Sequence, residues 1–179
     1  ELLLTLGTRG QPGAWDEAAG TRLLFEPADL GFAPNGDVFV VEGHGRGEGR
    51  VLRFTAAGKF IASWGGKGTG PGQFDQPHSI LVTPDNRLLV ADRENRRVQV
   101  FTAEGKFVKQ VIKHDTPFAR NVALSPDQRF LYVGDEKSIH VYDRKSMELL
   151  TTITGGGLIG GGHEMQTDSK GNLYVALTG

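Results

Sequence analysis

Two histidines occupy the same position of an internal repeat, and imidazole nitrogen is one of the ligands that zinc prefers. The repeat is marked by valines that end its second strand and lie 50, 43 and 42 residues apart: Val40, Val90, Val133 and Val175. Counting twelve residues back from each valine gives Ala28, His78, Asn121 and His163. Two of the four equivalent positions therefore hold histidine.

A repeat of this length, built from short strands, is typical of β-propeller blades. Equivalent positions in a propeller are related by rotation about one axis. If the shared position begins the innermost strand, both imidazoles should face the same axial channel. We therefore predict a metal site at His78 and His163. Because zinc usually takes at least three protein ligands, the third must come from His44 or from blades outside this sequence.

The elements around these positions predict an all-β fold. Each full repeat has four short strands rich in Val, Ile, Phe and Tyr, with turns such as Pro34-Asn35-Gly36 that suit hairpins. We place repeats at about 25–65, 74–112 and 118–153, with a partial repeat at 160–179. Residues 1–7 read as a lone strand of a preceding blade. The whole is expected to be one truncated propeller of about four blades, an internal fragment of a longer one.

Composition excludes several classes of function. The 179 residues carry 20 Lys and Arg against 21 Asp and Glu, a net charge of -1, so no electrostatic footprint for nucleic acid exists. No apolar run approaches the length of a membrane span. The absence of cysteine excludes disulfides, thiolate metal ligands and thiol nucleophiles.

Several motifs have structural interpretations. Residues 155–160 match G-x-G-x-x-G, but a strand and not a helix should follow, so we reject nucleotide binding. The glycine-rich residues 65–70 lack the phosphate-loop spacing and are expected to form a loop. A helical turn is possible around residues 15–19. His114 and His140 fall late in their repeats and are expected at the surface.

A dense charge run, from Asp92 to Arg97, follows the second strand of repeat two. Its simplest interpretation is a solvated loop with ion pairs of little energetic value. In a blade, however, this connection lies near the mouth of the channel. Arg93 could there present its planar guanidinium to a carboxylate.

At these residues the chain resembles a known family. The segments 76–80 (QPHSI), 90–101 (VADRENRRVQVF) and 118–122 (FARNV) look like the NHL-repeat propeller of peptidyl-α-hydroxyglycine α-amidating lyases and their bacterial relatives. The stretch from Pro27 to Gly43 resembles it too, and the likeness runs from about residue 1 to the end. That family has six blades, so the chain would cover its later two thirds.

The resemblance implies a zinc-dependent lyase that cleaves a C–N bond of a small-molecule or peptide substrate, giving an amide and glyoxylate. His78 and His163 would be zinc ligands, and Arg93 would orient the substrate. Ile80 and Glu164 are further candidate metal-site residues, Glu164 standing where the family has a calcium-binding aspartate. His44 stands where the family has a tyrosine proposed as the base, and we predict that His44 takes that role. The resemblance also implies a secreted or periplasmic location.

Two other functions stay open at this point. A non-catalytic NHL propeller could bind a protein or another ligand on one face. A calcium-dependent lactone hydrolase would line the channel with Asp, Asn and Glu oxygens, against which two histidines in register argue. The bound metal separates the three: zinc for the lyase, calcium alone for the hydrolase, none for the scaffold.

Overall fold

The computed structural model describes residues 4–45, 47–113, 119–154 and 162–177, and these form five antiparallel sheets. The first sheet is a short hairpin of β1 (Trp15–Asp16) and β2 (Thr21–Arg22). This hairpin stands where the sequence allowed a helical turn, so that expectation was wrong. Residues 4–6 belong to no strand, which contradicts the predicted lone strand over its described part.

Three four-stranded sheets follow, each with its strands paired in chain order. Blade one contains β3 (Pro27–Phe32), β4 (Val38–Glu42), β5 (Arg50–Phe54) and β6 (Phe60–Gly65). Blade two contains β7 (Pro77–Val82), β8 (Arg87–Asp92), β9 (Arg97–Thr102) and β10 (Phe107–Lys113). Blade three contains β11 (Asn121–Leu124), β12 (Phe130–Gly134), β13 (Ser138–Asp143) and β14 (Leu149–Thr154). Blade four is described as two strands, β15 (Gly162–Thr167) and β16 (Leu173–Leu177).

The turn between the first two strands of each blade repeats one backbone conformation. The equivalent residues Gly36, Asn86, Gln128 and Gly171 all have positive φ. Glycine adopts this conformation without steric cost, and asparagine tolerates it better than most residues. The turn geometry is therefore set by the repeat, even where the residue type changes.

The core lies between the blades, because each middle strand is buried on both of its faces. In β8, Leu88 and Val90 pack toward blade one, whereas Leu89 and Ala91 pack toward blade three. This alternation follows from the two-residue period of a strand. The β1–β2 hairpin covers the other face of blade one, where Trp15 packs edge-on against Phe54 with ring centroids 4.7 Å apart.

The first strands of the blades lie beside one another and define the centre of the arrangement. Strand β7 contacts both β3 and β11, and β11 contacts β15. Residues that begin these four strands are therefore brought together, which positions the site described next. In the described residues no helix is long and apolar enough to cross a membrane.

Candidate metal centre

The two in-phase histidines meet at the centre of the blades. His78 is the second residue of β7 and His163 the second residue of β15, and their ring centroids are 4.7 Å apart. Of the other two members of the set, Ala28 is likewise the second residue of β3, and Asn121 is the first residue of β11. The spacing in the sequence thus corresponds to a rotational equivalence in space.

His44 joins this pair from the connection between β4 and β5. Its ring centroid lies 4.9 Å from that of His78 and 6.4 Å from that of His163. The connection folds back because Gly43 has a φ of 100° and a side chain there would clash with the backbone of Gly49. Only glycine accommodates both constraints at this point.

The three histidines could form a metal site. One ligand atom from each of His44, His78 and His163 can be chosen so that all three lie within 4.8 Å of one another. Imidazole nitrogens bound tetrahedrally to one zinc ion lie about 3.4 Å apart, since each bond is about 2.1 Å long. The three nitrogens would therefore have to approach one another by up to about 1.4 Å to share an ion.

Burial and neighbouring charge favour the neutral form of His44 and His78, which is the form that binds a metal. Burial first, and then the charges of the nearby His44, His163 and Arg93, together lower the pKa of His78 to about 4. The pKa of His44 is lowered too, by burial first and then by the charge of Arg93. Both rings are consequently deprotonated at pH 7.

The environment of the Nδ1 atom of His78 is what best fits a bound metal ion. It is buried and has no hydrogen-bond partner in the part of the chain that the structure describes. An unpaired buried nitrogen costs free energy unless something binds it. The backbone carbonyl of Arg120 lies beside the same ring, and metal-bound histidines commonly use such a carbonyl to fix the ring orientation.

Arg93 reaches the same centre from the connection between β8 and β9. Its Nη1 donates to Oε1 of Gln76 at 3.1 Å, and its side chain is 19% exposed. Its positive charge acts on both His44 and His78. The structure therefore places Arg93 near His44 and His78.

The rest of the charge run does not match its predicted solvated state. Asp92 is fully buried, and Arg97 is 5% exposed. Arg97 donates from Nε to Asp92 Oδ2 at 2.7 Å and also to the carbonyls of Thr69, Gly70 and Gln73. The pair fixes the glycine-rich loop 65–73 against blade two. The prediction of a solvated loop with ion pairs of little energetic value was therefore wrong for these two residues.

Ile80 and Glu164 are linked through a residue that the sequence analysis did not select, Asp29. The Ile80 backbone N donates to Asp29 Oδ2 at 2.9 Å, while the Ile80 side chain packs in the core. Burial raises the pKa of Glu164, and the charge of Asp29 raises it further. Burial also raises the pKa of Asp29. Two partly buried carboxylates thus lie close to each other near the first strands.

The remaining histidines differ from one another. His140 was expected at the surface but is 6% exposed, which contradicts the prediction. Its Nε2 lies 2.9 Å from Asp135 Oδ2 and its Nδ1 lies 3.1 Å from Thr152 Oγ1, because the start of the third strand is covered by its neighbours. His114, the 155–160 glycine segment and Phe118 lie outside the described residues.

Comparisons with known proteins agree with this architecture. Residues 74–101 match the family model described as the NHL repeat. The chain is an NHL-repeat protein with the blades of a β-propeller. A solved structure, Kuenenia stuttgartiensis hydrazine synthase, superposes with a TM-score of 0.63 at 21% identity, over 81% of this chain and 40% of that one. At this identity the likeness shows the fold alone.

Among curated proteins, the chain is similar to amidating enzymes. It is 38% identical over 151 residues to the mouse peptidyl-glycine alpha-amidating monooxygenase, covering 76% of this chain and 15% of that protein. It is 36% identical over 106 residues to a probable peptidyl-alpha-hydroxyglycine alpha-amidating lyase of Caenorhabditis elegans, covering 58% of this chain and 28% of the relative. The chain therefore spans well under half the length of these relatives.

Proposed function

We propose that this chain carries the zinc centre of a lyase of the peptidyl-α-hydroxyglycine amidating type. The observation that supports this most strongly is the convergence of His44, His78 and His163, whose ligand atoms lie within 4.8 Å of one another. Three histidines with an open fourth position form a common catalytic zinc site. The similarity to a probable lyase of that type selects the reaction.

His44 is the third zinc ligand in this proposal. A neutral imidazole can give its lone pair to a metal or to a proton, but one nitrogen cannot do both at once. The closeness of His44 to His78 favours the metal. The role of His44 as a catalytic base stays an alternative prediction, and the experiment below separates the two.

The proposed reaction balances without an oxidant or reductant. In the substrate R-CO-NH-CH(OH)-COO⁻ the C–N bond breaks and its electron pair passes to nitrogen. The hydroxyl loses its proton as its C–O bond becomes a C=O bond, and nitrogen gains a proton. The products are R-CO-NH2 and glyoxylate. A bound zinc ion would act as a Lewis acid that makes the hydroxyl proton easier to remove.

Arg93 holds the substrate carboxylate in this arrangement. Its guanidinium is anchored by Gln76, which helps to fix its orientation. A charged fork of this kind binds a carboxylate with two parallel hydrogen bonds. The carboxylate is attached to the reacting carbon, so holding it places the hydroxyl and the C–N bond next to the histidines.

A second cation, calcium, is proposed between Glu164 and Asp29. The raised pKa values of both carboxyl groups reflect burial, and for Glu164 also its repulsion from Asp29. A divalent cation removes this repulsion, and carboxylates and backbone carbonyls are the ligands that calcium takes. The backbone of Ile80, which hydrogen-bonds Asp29, would border the same site.

Metal analysis tests the zinc assignment directly. The wild-type protein, loaded with zinc and dialysed, should hold one zinc per chain when measured by mass spectrometry of the metal. The variants His44→Ala, His78→Ala and His163→Ala should each lose it. His140→Gln, which changes a buried histidine outside the cluster, is the matched control and should keep its zinc.

Glyoxylate release from N-benzoyl-α-hydroxyglycine tests the reaction in the same proteins. If His44→Ala retains zinc but loses glyoxylate release, His44 is the base and not a ligand. Failure of the wild-type protein to bind zinc at all would defeat the lyase proposal and leave a non-catalytic propeller.

A further inference from the structure

Beside the three histidines lies a second arginine that the proposed mechanism does not use. Arg120 immediately precedes β11, the strand that begins with Asn121 at the position equivalent to His78. Its side chain is 14% exposed. Its positive charge acts on His44, as that of Arg93 does. The centre therefore contains two arginines, one from each of two adjacent blades.

The guanidinium of Arg120 is only partly occupied. Among the described residues it makes one hydrogen bond, from Nη2 to Glu136 Oε1 at 2.5 Å. Its Nε is buried and donates to nothing there. Arginine has five N–H donors, and a buried donor left unpaired costs free energy. Such an arrangement is expected where a ligand supplies the missing acceptor.

Blades two and three hold their arginines by related contacts. In blade two, Arg93 lies in the connection after the second strand and bonds Gln76, just before the first strand. In blade three the order is reversed, since Arg120 lies just before the first strand and bonds Glu136, in the connection after the second. Each blade thus offers one anchored cation at the same end of its first strand.

We infer that Arg120 is a second carboxylate-binding residue, which together with Arg93 selects substrates that carry a carboxylate on the reacting carbon. The inference rests on the proposed function for the identity of the substrate. Glu136 pairs with Arg120 and competes with the incoming carboxylate for it. Arg120 consequently sets the preference for a free carboxylate over a neutral amide at that end of the substrate.

Binding of a non-reacting probe tests this inference without relying on catalysis. Hippurate carries the benzoyl amide and the carboxylate but no hydroxyl, and hippuramide replaces the carboxylate by a neutral amide. Titration calorimetry with both probes, on zinc-loaded and on metal-free protein, measures the carboxylate preference. Loss of one charge-assisted hydrogen bond should weaken hippurate binding by Arg120→Gln about tenfold or more, with hippuramide binding unchanged.

Two further variants separate recognition from a structural role. Glu136→Gln releases Arg120 from its competitor, so hippurate should bind a few times more tightly, an effect opposite in sign to that of damage to the site. Arg144→Gln removes an arginine that pairs with Asp85 outside the histidine cluster and should change neither probe. The zinc content of Arg120→Gln should match that of the wild type.

The outcomes distinguish this inference from the proposed function. Equal hippurate affinity in wild type and Arg120→Gln would overturn the role of Arg120, even if zinc binding and glyoxylate release were intact. Failure of the wild type to bind hippurate would overturn it too. Hippurate binding that depends on Arg120 in a protein without lyase activity would support the anion site while rejecting the lyase.

Discussion

Two sets of equivalent positions in the blades behave in opposite ways. Where the second strand leads into the third, blades one to three each contain an acid–base pair whose acid is buried: Glu42–Arg50, Asp92–Arg97 and Asp135–His140. Where the first strand begins, the residues differ in chemical character: Ala28, His78, Asn121 and His163. The first set repeats its chemistry in each of these blades, and the second does not.

The difference distinguishes the residues that stabilise the fold from those that form the candidate metal site. A pair that recurs in each of these blades has a structural role common to them. Here that role is to hold the connection between the second and third strands. The pairs also hold flanking loops, as Arg97 holds residues 69–73 through three carbonyls. Positions that vary around the centre are free to differ because packing does not require one residue type there.

The largest effect is expected from breaking the pair of blade two. Asp92→Ala leaves the cation of Arg97 buried without a carboxylate, and removing one partner of a buried pair costs about 3–5 kcal/mol. Burial raises the pKa of Asp92, and donors from Asn95, Asp75 and Arg97 oppose that shift. The free energy of unfolding in urea should fall by this amount. Zinc content of the folded fraction should stay unchanged, and a loss of zinc without loss of stability would contradict the division of roles.

A pH series tests the second set of positions, at the start of the first strands, through His78. The pKa of His78 is about 4 in the folded chain, below the value of about 6.5 expected when it is unfolded. Below pH 6.5 the unfolded state therefore binds a proton that the folded state does not bind. The free energy of unfolding consequently falls as the pH falls toward 4. The loss from His78 should approach about 3 kcal/mol at pH 4. The measurement is urea unfolding of metal-free protein between pH 7 and 4.5.

The matched variant for this series is His78→Gln. It removes the titrating ring and should flatten the stability curve between pH 6.5 and 4.5. An equally steep curve in His78→Gln would show that another group causes the loss.

The sequence period predicted the meeting of His78 with His163 because rotation relates equivalent positions whatever fills them. It could not assign His44 its place, since that residue lies in a connection whose path depends on Gly43 and Gly49. Asp92 and Arg97 were misjudged because a dense charge run resembles a solvated loop. The recurrence of an acid after strand two and a base at strand three was the signal that would have revealed them.

Arg120 illustrates a second limit. Its neighbour Asn121 was identified by the repeat, but nothing in residue type or spacing distinguished Arg120 from a surface arginine. Its importance appears only from its low exposure, from its Nε, which has no partner among the described residues, and from its charge acting on His44. His140 was misplaced for a related reason, because its position late in the repeat does not reveal that Asp135 and Thr152 enclose it.

An intermediate effect is expected in blade three. His140→Ala removes the partner of Asp135 Oδ2, but Oδ1 of that carboxylate still accepts from the backbone N–H groups of Lys137 and Ser138, each at 2.7 Å. The cost should therefore be that of one unpaired buried acceptor, about 1–3 kcal/mol, and smaller than in Asp92→Ala. Urea unfolding of both variants at pH 7.5 compares them. A larger loss for His140→Ala would mean that the pairs are not equivalent in their anchoring role.

The smallest effect is expected at the carboxylate pair near the centre. The pKa of Glu164 is raised in the folded chain, so stability is lost as the pH rises through that pKa, when the folded state gives up its proton and faces Asp29. Glu164→Gln removes this repulsion and should stabilise the metal-free protein at pH 7, by less than any of the effects above because Glu164 is only half-buried. Calcium should raise the melting temperature of the wild type but not of Glu164→Gln, since the variant lacks one of the two charges that attract the cation. Two results would contradict this prediction: a lower stability of Glu164→Gln without calcium, or a rise in its melting temperature with calcium equal to that of the wild type. Either result would show that the two carboxylates stabilise the fold, as the repeated pairs do, and do not form a cation site.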